Sequence, residues 1–315
     1  TSQFNAEGIE MQNIEKDKLS LNADETGKNI SNQYLQDLYR FFKLSSFRSE
    51  FSDPFSSHID LFQVSFLQSI FSDDNTLRLI GEFYFRKEYY AEALTMFNKL
   101  LQNHRSDSEL YQKIGYCLQM SGEYDKALDA YLKAEMIYPD SLWTLRRIAS
   151  CYRTLKKPEA ALEYYLRIEQ MKPDNLSIEM NIGHCYFEQE NYDEALKYYF
   201  KVDYLDPKST KAWRAIAWCS FLAGKQEQAR RYYEKILNNK PTSIDYMNAG
   251  HIEFVLKNLN KTVELYRKSI ENDKGNKESF LNNFKQDIKY LIQAGISAND
   301  IPLLIDQLMY SLESV

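Results

Sequence analysis

A single pattern recurs through the middle of this chain with a period of 34 residues, which shortens to 33 at the last step. Small residues mark its successive copies: Gly81, Gly115, Ala149, Gly183, Ala217 and Gly250. An alanine or threonine stands twelve positions after each of them, and an aromatic residue stands sixteen positions after. Self-similarity at a fixed period of this length is the signature of a chain whose units stack on their neighbours. The repeat therefore constrains the fold more strongly than composition does.

Each copy of the pattern predicts two helices. Within residues 182–202, apolar side chains recur at helical spacing on both sides of a turn at Asn191, and Gly183 leaves room for the second helix to approach the first. Four units end in a proline, which stops one helix and sets the turn into the next unit: Pro139, Pro173, Pro207 and Pro241. Only 10 glycines and 7 prolines in 315 residues leave few breakers for an all-β fold.

This arrangement of small, alanine, aromatic and proline positions resembles the tetratricopeptide repeat, a 34-residue helix–turn–helix unit. The match is fullest over residues 108–241 and loosens at both ends, where Arg105 and Lys274 stand at the proline position. The resemblance implies an all-α fold: a right-handed superhelical solenoid of six helix–turn–helix units over residues 74–275, with helical N- and C-terminal extensions.

The segments outside the repeats have their own predictions. Residues 1–28 are polar and aperiodic, which favours a flexible N-terminus, and residues 29–73 are interpreted as a helical pair, with a degenerate repeat as the alternative. Residues 276–315 are interpreted as a C-terminal helical cap, whose first helix stops at Gly295 and whose second starts with Ser297 and Asp300 in the arrangement of a capping box. A docking element for a partner, or for a second copy in a homodimer, is the alternative.

All four cysteines occupy one position of the repeat, two residues after the small residue: Cys117, Cys151, Cys185 and Cys219. Equivalent positions of adjacent units are expected about 10 Å apart, which is too far for a disulfide or a shared zinc ion. We therefore expect small buried residues, with redox sensing by one thiol as the alternative. Unpaired thiols favour a reducing compartment, so the expected location is cytoplasmic.

Charge and motifs argue against several functions. The chain carries 39 Lys and Arg against 45 Asp and Glu, a net charge of −6, which is the wrong sign for binding nucleic acid. Its apolar runs fall short of the ~20 residues that span a bilayer, so membrane insertion is not expected. No phosphate-binding loop, nucleophile elbow or metal motif occurs, and His184 with Glu188 supplies only two potential ligands. We expect no enzyme activity, no catalytic residues, no metal and no cofactor.

The resemblance also implies a binding surface, because the first helix of each tetratricopeptide unit lines the concave face of the array. Residues three before, one after and four after each small residue share one face of that helix. The predicted peptide-binding groove drawn from these positions consists of Arg78, Tyr116, Gln119, Arg146, Arg153, Met180, His184, Phe187, Arg214, Trp218, Phe221, His251 and Phe254. Its first half is rich in Arg and Gln, and its second half in Met and aromatic residues.

We predict from these residue types a non-enzymatic interaction scaffold that binds an extended or helical protein segment in the groove. The best-known ligand of the family, a chaperone C-terminal carboxylate held by Lys and Asn, is not expected, because the asparagines are missing from the matching positions. The apolar anchors are expected near Phe187, Trp218 and Phe221. An acidic portion of the ligand is expected near Arg146, Arg153 and Arg214.

Two other functions stay open. One is a ligand-responsive regulatory sensor, in which a bound peptide changes the superhelical pitch and the segment before residue 74 transmits the change. The other is the substrate-presenting arm of a larger enzyme. Because the sequence begins with Thr1, the catalytic domain of such an enzyme, or a targeting segment, could precede it.

Overall fold

A computed structural model describes residues 73–103 and 107–313 of the chain, together with residues 30, 33, 34, 36 and 37. The chain divides into two compact units, Thr1–Ser72 and Asp73–Val315. The five described positions of the first unit are helical. The expectations for residues 1–28, and for most of residues 29–73, lie outside the described residues.

The described part of the second unit contains fourteen α-helices and no β-strand. Twelve of them form six consecutive pairs: α1 (Asp74–Arg86) with α2 (Tyr90–Asn103), α3 (Ser108–Met120) with α4 (Tyr124–Ile137), α5 (Leu142–Thr154) with α6 (Pro158–Met171), α7 (Leu176–Glu188) with α8 (Tyr192–Leu205), α9 (Thr210–Leu222) with α10 (Gln226–Leu237), and α11 (Ser243–Val255) with α12 (Leu259–Asn272). The last two helices are α13 (Lys277–Gln293) and α14 (Asp300–Glu313).

Each of the twelve paired helices packs against its neighbours in sequence, so the second helix of one pair lies against the first helix of the next. Nearest-neighbour packing of this kind builds a solenoid, in which every unit is stabilised by the units beside it. The prediction of an all-α helix–turn–helix solenoid is confirmed. The last two helices pack differently, since α13 also reaches α11 and α14 lies mainly against α12.

The repeated sequence positions are the core of each pair. The aromatic residue sixteen positions after each small residue is buried in all six pairs, and Tyr131, Tyr199 and Tyr266 are among the largest fully buried side chains. The ring of Tyr131 crosses the first helix so closely that a Cβ added to Gly115 would lie 2.6 Å from it, whereas alanine occupies the same position in the third and fifth pairs. The small residue and the aromatic residue are therefore two halves of one close contact between helices.

The four cysteines are buried and unpaired, as predicted. Burial raises the thiol pKa to about 12 at Cys117, Cys185 and Cys219 and to about 11 at Cys151. A thiol with so high a pKa is not a reactive thiolate at neutral pH, which argues against the redox alternative.

Polar caps explain why the first helices begin where they do. Asp73, Asp107, Ser141, Asn175, Ser209 and Thr242 precede them, and each side chain accepts a hydrogen bond from a backbone N–H in the first turn. A complete capping box forms at Thr242 and Asp245. The box expected at Ser297 is wrong, because the Ser297 hydroxyl accepts from the N–H of Asn299 and not from that of Asp300.

Candidate protein-binding face

The first helices of the six pairs (α1, α3, α5, α7, α9 and α11) form a continuous surface, here called the first-helix face. Polar side chains connect neighbouring first helices across it. Nζ of Lys113 donates to Oε1 of Glu82 over 2.8 Å, and Nε2 of Gln112 donates to Oγ1 of Thr144 over 2.9 Å. Since side chains of adjacent units meet there, the face is fixed by the stacking of the repeats.

Aromatic rings cover the start of this face. Tyr116 on α3 contacts Phe85 at 5.3 Å and Tyr90 at 5.8 Å between ring centroids. Of the other predicted groove residues here, Arg78 is ion-paired to Asp107, and Oε1 of Gln119 accepts a hydrogen bond of 2.9 Å from the hydroxyl of Tyr131. Arg78 and Gln119 thus support the packing of the repeats, and Tyr116 is the predicted residue that contributes ring surface.

Two residues of the face, Trp143 and Arg147 on α5, lie outside the predicted groove positions. The Arg147 guanidinium lies over the ring of Tyr116 at 4.9 Å and over the ring of Trp143 at 5.1 Å. The side chain of Trp143 remains 41% exposed. Their spacing of four residues, which places Trp143 and Arg147 on the same face of α5, is the sequence feature that would have predicted them.

A cavity of about 440 Å³ opens between α5 and α7. Three cationic residues, one carboxylate, four hydroxyl groups and one amide contribute to its wall. The complete lining is Arg146, Ser150, Arg153, Thr154, Lys156, Tyr165, Ser177, Ile178, Asn181 and Glu188. The predicted residues Arg146 and Arg153 are therefore brought together in one concave site.

The two arginines of the cavity differ in their partners. Arg153 donates to Oδ1 of Asn181 over 2.9 Å and to Oε1 of Glu188 over 2.8 Å. Burial opposes the charge of Arg153, but the hydrogen bond and charge of Glu188 outweigh it and raise its pKa. Arg146 is exposed, and within the described ranges no carboxylate lies at ion-pair distance from it. Arg146 is thus an exposed cation of this site, as is Lys156.

His184 and its neighbours form the boundary of the cationic region. Nδ1 of His184 lies 2.9 Å from the hydroxyl of Tyr199. Burial, with the positive charge of Arg153, lowers the His184 pKa to about 4, so the imidazole is neutral at pH 7. Met180 and Phe187 are half-buried, and Phe187 contacts Tyr192 at 5.7 Å between centroids.

Three residues of the apolar half of the predicted groove are closed to a ligand, and for these three the prediction is wrong. Phe221 and Phe254 are 2% and 4% exposed, and His251 is fully buried. Helix α13 covers this region: Phe284 contacts His251 at 5.4 Å, and Tyr290 contacts Trp218 at 5.6 Å between centroids. Phe221 and Phe254 share one core with side chains of the C-terminal helices, and Trp218 packs against it, so these residues stabilise the fold.

Arg214 was also expected to bind an acidic group of the ligand, and here too the structure corrects the prediction. Its Nε and Nη2 atoms donate to the two carboxylate oxygens of Asp245 over 2.8 Å each. Asp245 is 2% exposed, so this bidentate pair is an element of the contact between α9 and α11. The charge of Arg214 is neutralised within the fold.

A second cavity, of about 480 Å³, lies at the C-terminal end and is lined partly by apolar side chains of α11, α12 and α14. Among the described residues no group of three or more His, Cys, Asp or Glu side chains could hold a metal ion. None of the helices that the structure describes is long and apolar enough to cross a membrane.

Comparison with known families and structures adds independent findings. Models of the tetratricopeptide repeat match residues 80–141, 152–219 and 212–243. No curated protein matches the sequence significantly.

Among solved structures, the chain is similar to PilW, described as a widely conserved type IV pilus biogenesis factor, with 19% identity and a TM-score of 0.54, covering 67% of this chain and 98% of that one. It is also similar to MamA from AMB-1 (18% identity, TM-score 0.48, 51% of this chain and 88% of that one). A third is a tetratricopeptide repeat protein from Parabacteroides merdae (20% identity, TM-score 0.47, 70% and 84%). At these identities the PilW similarity concerns the fold alone.

Proposed function

The chain is a tetratricopeptide repeat protein, and on that premise we propose that it is a non-enzymatic scaffold that binds an acidic segment of a partner protein on its first-helix face. The proposed contact region extends from Tyr116 on α3 to Asn181 on α7. The observation that carries the proposal is the cavity between α5 and α7, where Arg146 has no carboxylate partner among the described residues.

Charge complementarity supports an acidic ligand. The whole chain has a net charge of −6, yet three cationic side chains and one carboxylate line this cavity. A local positive site on a negative protein attracts an acidic segment while the rest of the surface repels it, which favours binding in one register. Arginine also suits such contacts because its planar guanidinium pairs with two oxygens at once.

An aromatic contact adjoins the charged one. Trp143 is partly exposed, and Arg147 holds it against Tyr116. Trp, Tyr and Arg are the residues most often found at energetic centres of protein interfaces. An apolar side chain of the partner is therefore expected on Trp143, and this site replaces the Trp218 and Phe221 region that α13 covers.

The test is affinity capture with the 315-residue chain and two charge-reversal variants, Arg146→Glu and Arg231→Glu. Arg231 is an exposed arginine on α10, a second helix, and serves as the matched control away from the first-helix face. We expect a specific partner to be retained by the original chain and by Arg231→Glu, and lost from Arg146→Glu. Equal capture by all three would contradict the proposed face.

A ligand-responsive sensor is the second candidate, because α13 lies over Trp218 and His251. A partner segment that replaced α13 there would release the C-terminal helices and change their exposure. Hydrogen exchange of α13, with and without the captured partner, tests this. Faster exchange in the complex would support a sensor, and unchanged exchange would leave the passive scaffold.

Two further elements belong to the proposal. Four buried, unpaired cysteines support a reducing compartment, and hence a cytoplasmic location.

A homodimer through the C-terminal helices is tested by sedimentation of the Leu303→Glu variant, because Leu303 is 67% exposed on α14. A dimer of the original chain that becomes a monomer in the variant would support this interface, and a monomeric original chain would remove it.

A further inference from the structure

The cavity between α5 and α7 has the charge and the donors of a phosphate site. Arg146, Arg153 and Lys156 face it with a single carboxylate, that of Glu188, so its lining carries two net positive charges. A phosphorylated serine or threonine carries about −1.5 to −2 charges at pH 7. Such a group would neutralise the cavity, whereas one aspartate or glutamate would leave it positive.

Neutral donors surround the cations. Hydroxyl groups of Ser150 and Ser177 line the cavity together with the amide of Asn181, whereas the hydroxyl of Thr154 donates to the backbone carbonyl of Ser150 over 3.1 Å. The Oδ1 atom of Asn181 accepts from Arg153, which leaves the amide nitrogen as a donor. A phosphate group presents three strong acceptor oxygens, more than a carboxylate, and can use several of these donors at once.

Part of the site is held in place before any ligand arrives. Arg153 is anchored by Asn181 and Glu188 across the contact between α5 and α7, at 2.9 and 2.8 Å. An anchored guanidinium loses little freedom on binding, and the loss of such freedom commonly weakens association. Arg146 and Lys156 are exposed and can close over the group from outside.

We propose that this cavity binds the phosphate group of a phosphoserine or phosphothreonine in the partner segment. This inference rests on the proposed function, because it names the acidic group that the first-helix face recognises. A volume of about 440 Å³ accommodates the phosphate together with the side chain that carries it.

The test uses three fluorescent degenerate peptide libraries that are identical except for a fixed central residue, which is phosphoserine, aspartate or serine. Binding to the full chain is measured by fluorescence anisotropy. We expect the phosphoserine library to bind about ten-fold or more tightly than the other two, since charge-assisted contacts of the phosphate supply the difference. Arg146→Glu and Ser177→Ala should weaken this binding, and Arg231→Glu should not.

The other possible results distinguish failure of the phosphate inference from failure of the proposed acidic-segment binding. Equal binding of the aspartate and phosphoserine libraries would overturn the phosphate inference and leave the acidic-segment scaffold standing. Inorganic phosphate competing as strongly, mole for mole, as an unlabelled phosphoserine peptide would indicate a free-anion site and overturn the peptide source. If no library binds, the phosphate inference fails, while partner capture with Arg146→Glu still decides the proposed function by itself.

Discussion

The indole ring of Trp218 and the phenol ring of Tyr290 meet edge to face, with their centroids 5.6 Å apart. Trp218 belongs to the first helix of the fifth pair, and Tyr290 to a helix that follows the sixth. Together with the contact of Phe284 on His251, this places α13 across two first helices. The chain thus covers the apolar end of its own first-helix face and leaves the cationic part, around Arg146, accessible.

Loss of the α13 contact is expected to expose Trp218. In Phe284→Ala, a side chain that is 1% exposed is truncated, and such core truncations cost about 3–5 kcal/mol. We expect faster acrylamide quenching of tryptophan fluorescence and faster hydrogen exchange in α11–α14, with α3–α6 unchanged because units stabilise only their neighbours. Leu303→Ala, at a 67% exposed position of α14, is the control. Unchanged quenching in Phe284→Ala would refute this account.

Protonation of His184 is expected to destabilise the fold. Its pKa is lowered to about 4 in the folded chain, mainly by burial, and is about 6.5 when unfolded. The unfolded chain binds the proton more tightly than the folded chain. The contribution of neutral His184 to the free energy of unfolding is therefore complete above pH 6.5 and is lost as the pH falls from 6.5 to 4. The loss is at most about 3 kcal/mol.

Urea unfolding at a series of pH values measures this effect, with His184→Gln as the comparison. The variant should show a smaller decrease in stability between pH 6.5 and 4 than the original chain. Parallel pH profiles for the two proteins would argue against a lowered pKa at His184.

Addition of one methyl group at Gly183 is expected to destabilise its repeat. A Cβ there would lie 2.4 Å from the ring of Tyr199, which is 1% exposed. Overpacking of this kind costs about 1–3 kcal/mol, so Gly183→Ala should lower the midpoint of thermal unfolding. Ser177→Ala, at an exposed position of the same helix, should change it little. A Gly183→Ala variant as stable as the original would contradict the close contact.

Arg214 and Arg146 are expected to give opposite phenotypes, although both were predicted to bind the ligand. Arg214→Gln leaves the carboxylate of Asp245 buried without its bidentate partner, which costs about 3 kcal/mol or more. Arg146→Gln removes a side chain with no ion pair in the described part of the chain and should keep the unfolding midpoint. Partner capture should persist in Arg214→Gln at a temperature where it is folded and fall in Arg146→Gln. Loss of capture in folded Arg214→Gln with full capture by Arg146→Gln would refute the assignment of Arg146 to ligand binding and Arg214 to packing.

Much of this structure could be read from the sequence because the information was local. The small residue, the aromatic residue sixteen positions later and the proline that ends four of the units are features of one hairpin, and they recur wherever the hairpin recurs. The predicted groove did not include Trp143 and Arg147, because neither lies three before, one after or four after a small residue of the repeat. The capping box was placed at Ser297, whereas a threonine with an aspartate three positions later forms it at Thr242.

The sequence by itself determined the helix pairs, the buried positions that recur in every unit and most residues of the first-helix face, because each depends on the 3.6-residue period and on spacing within one unit. Only the tertiary structure decided which of those residues remain accessible. Phe221, His251 and Phe254 are enclosed by helices that follow the last repeat, and Arg214 is neutralised by Asp245, which is 31 residues away. Burial and ion pairing depend on side chains brought from neighbouring units, and no spacing within a single unit specifies them.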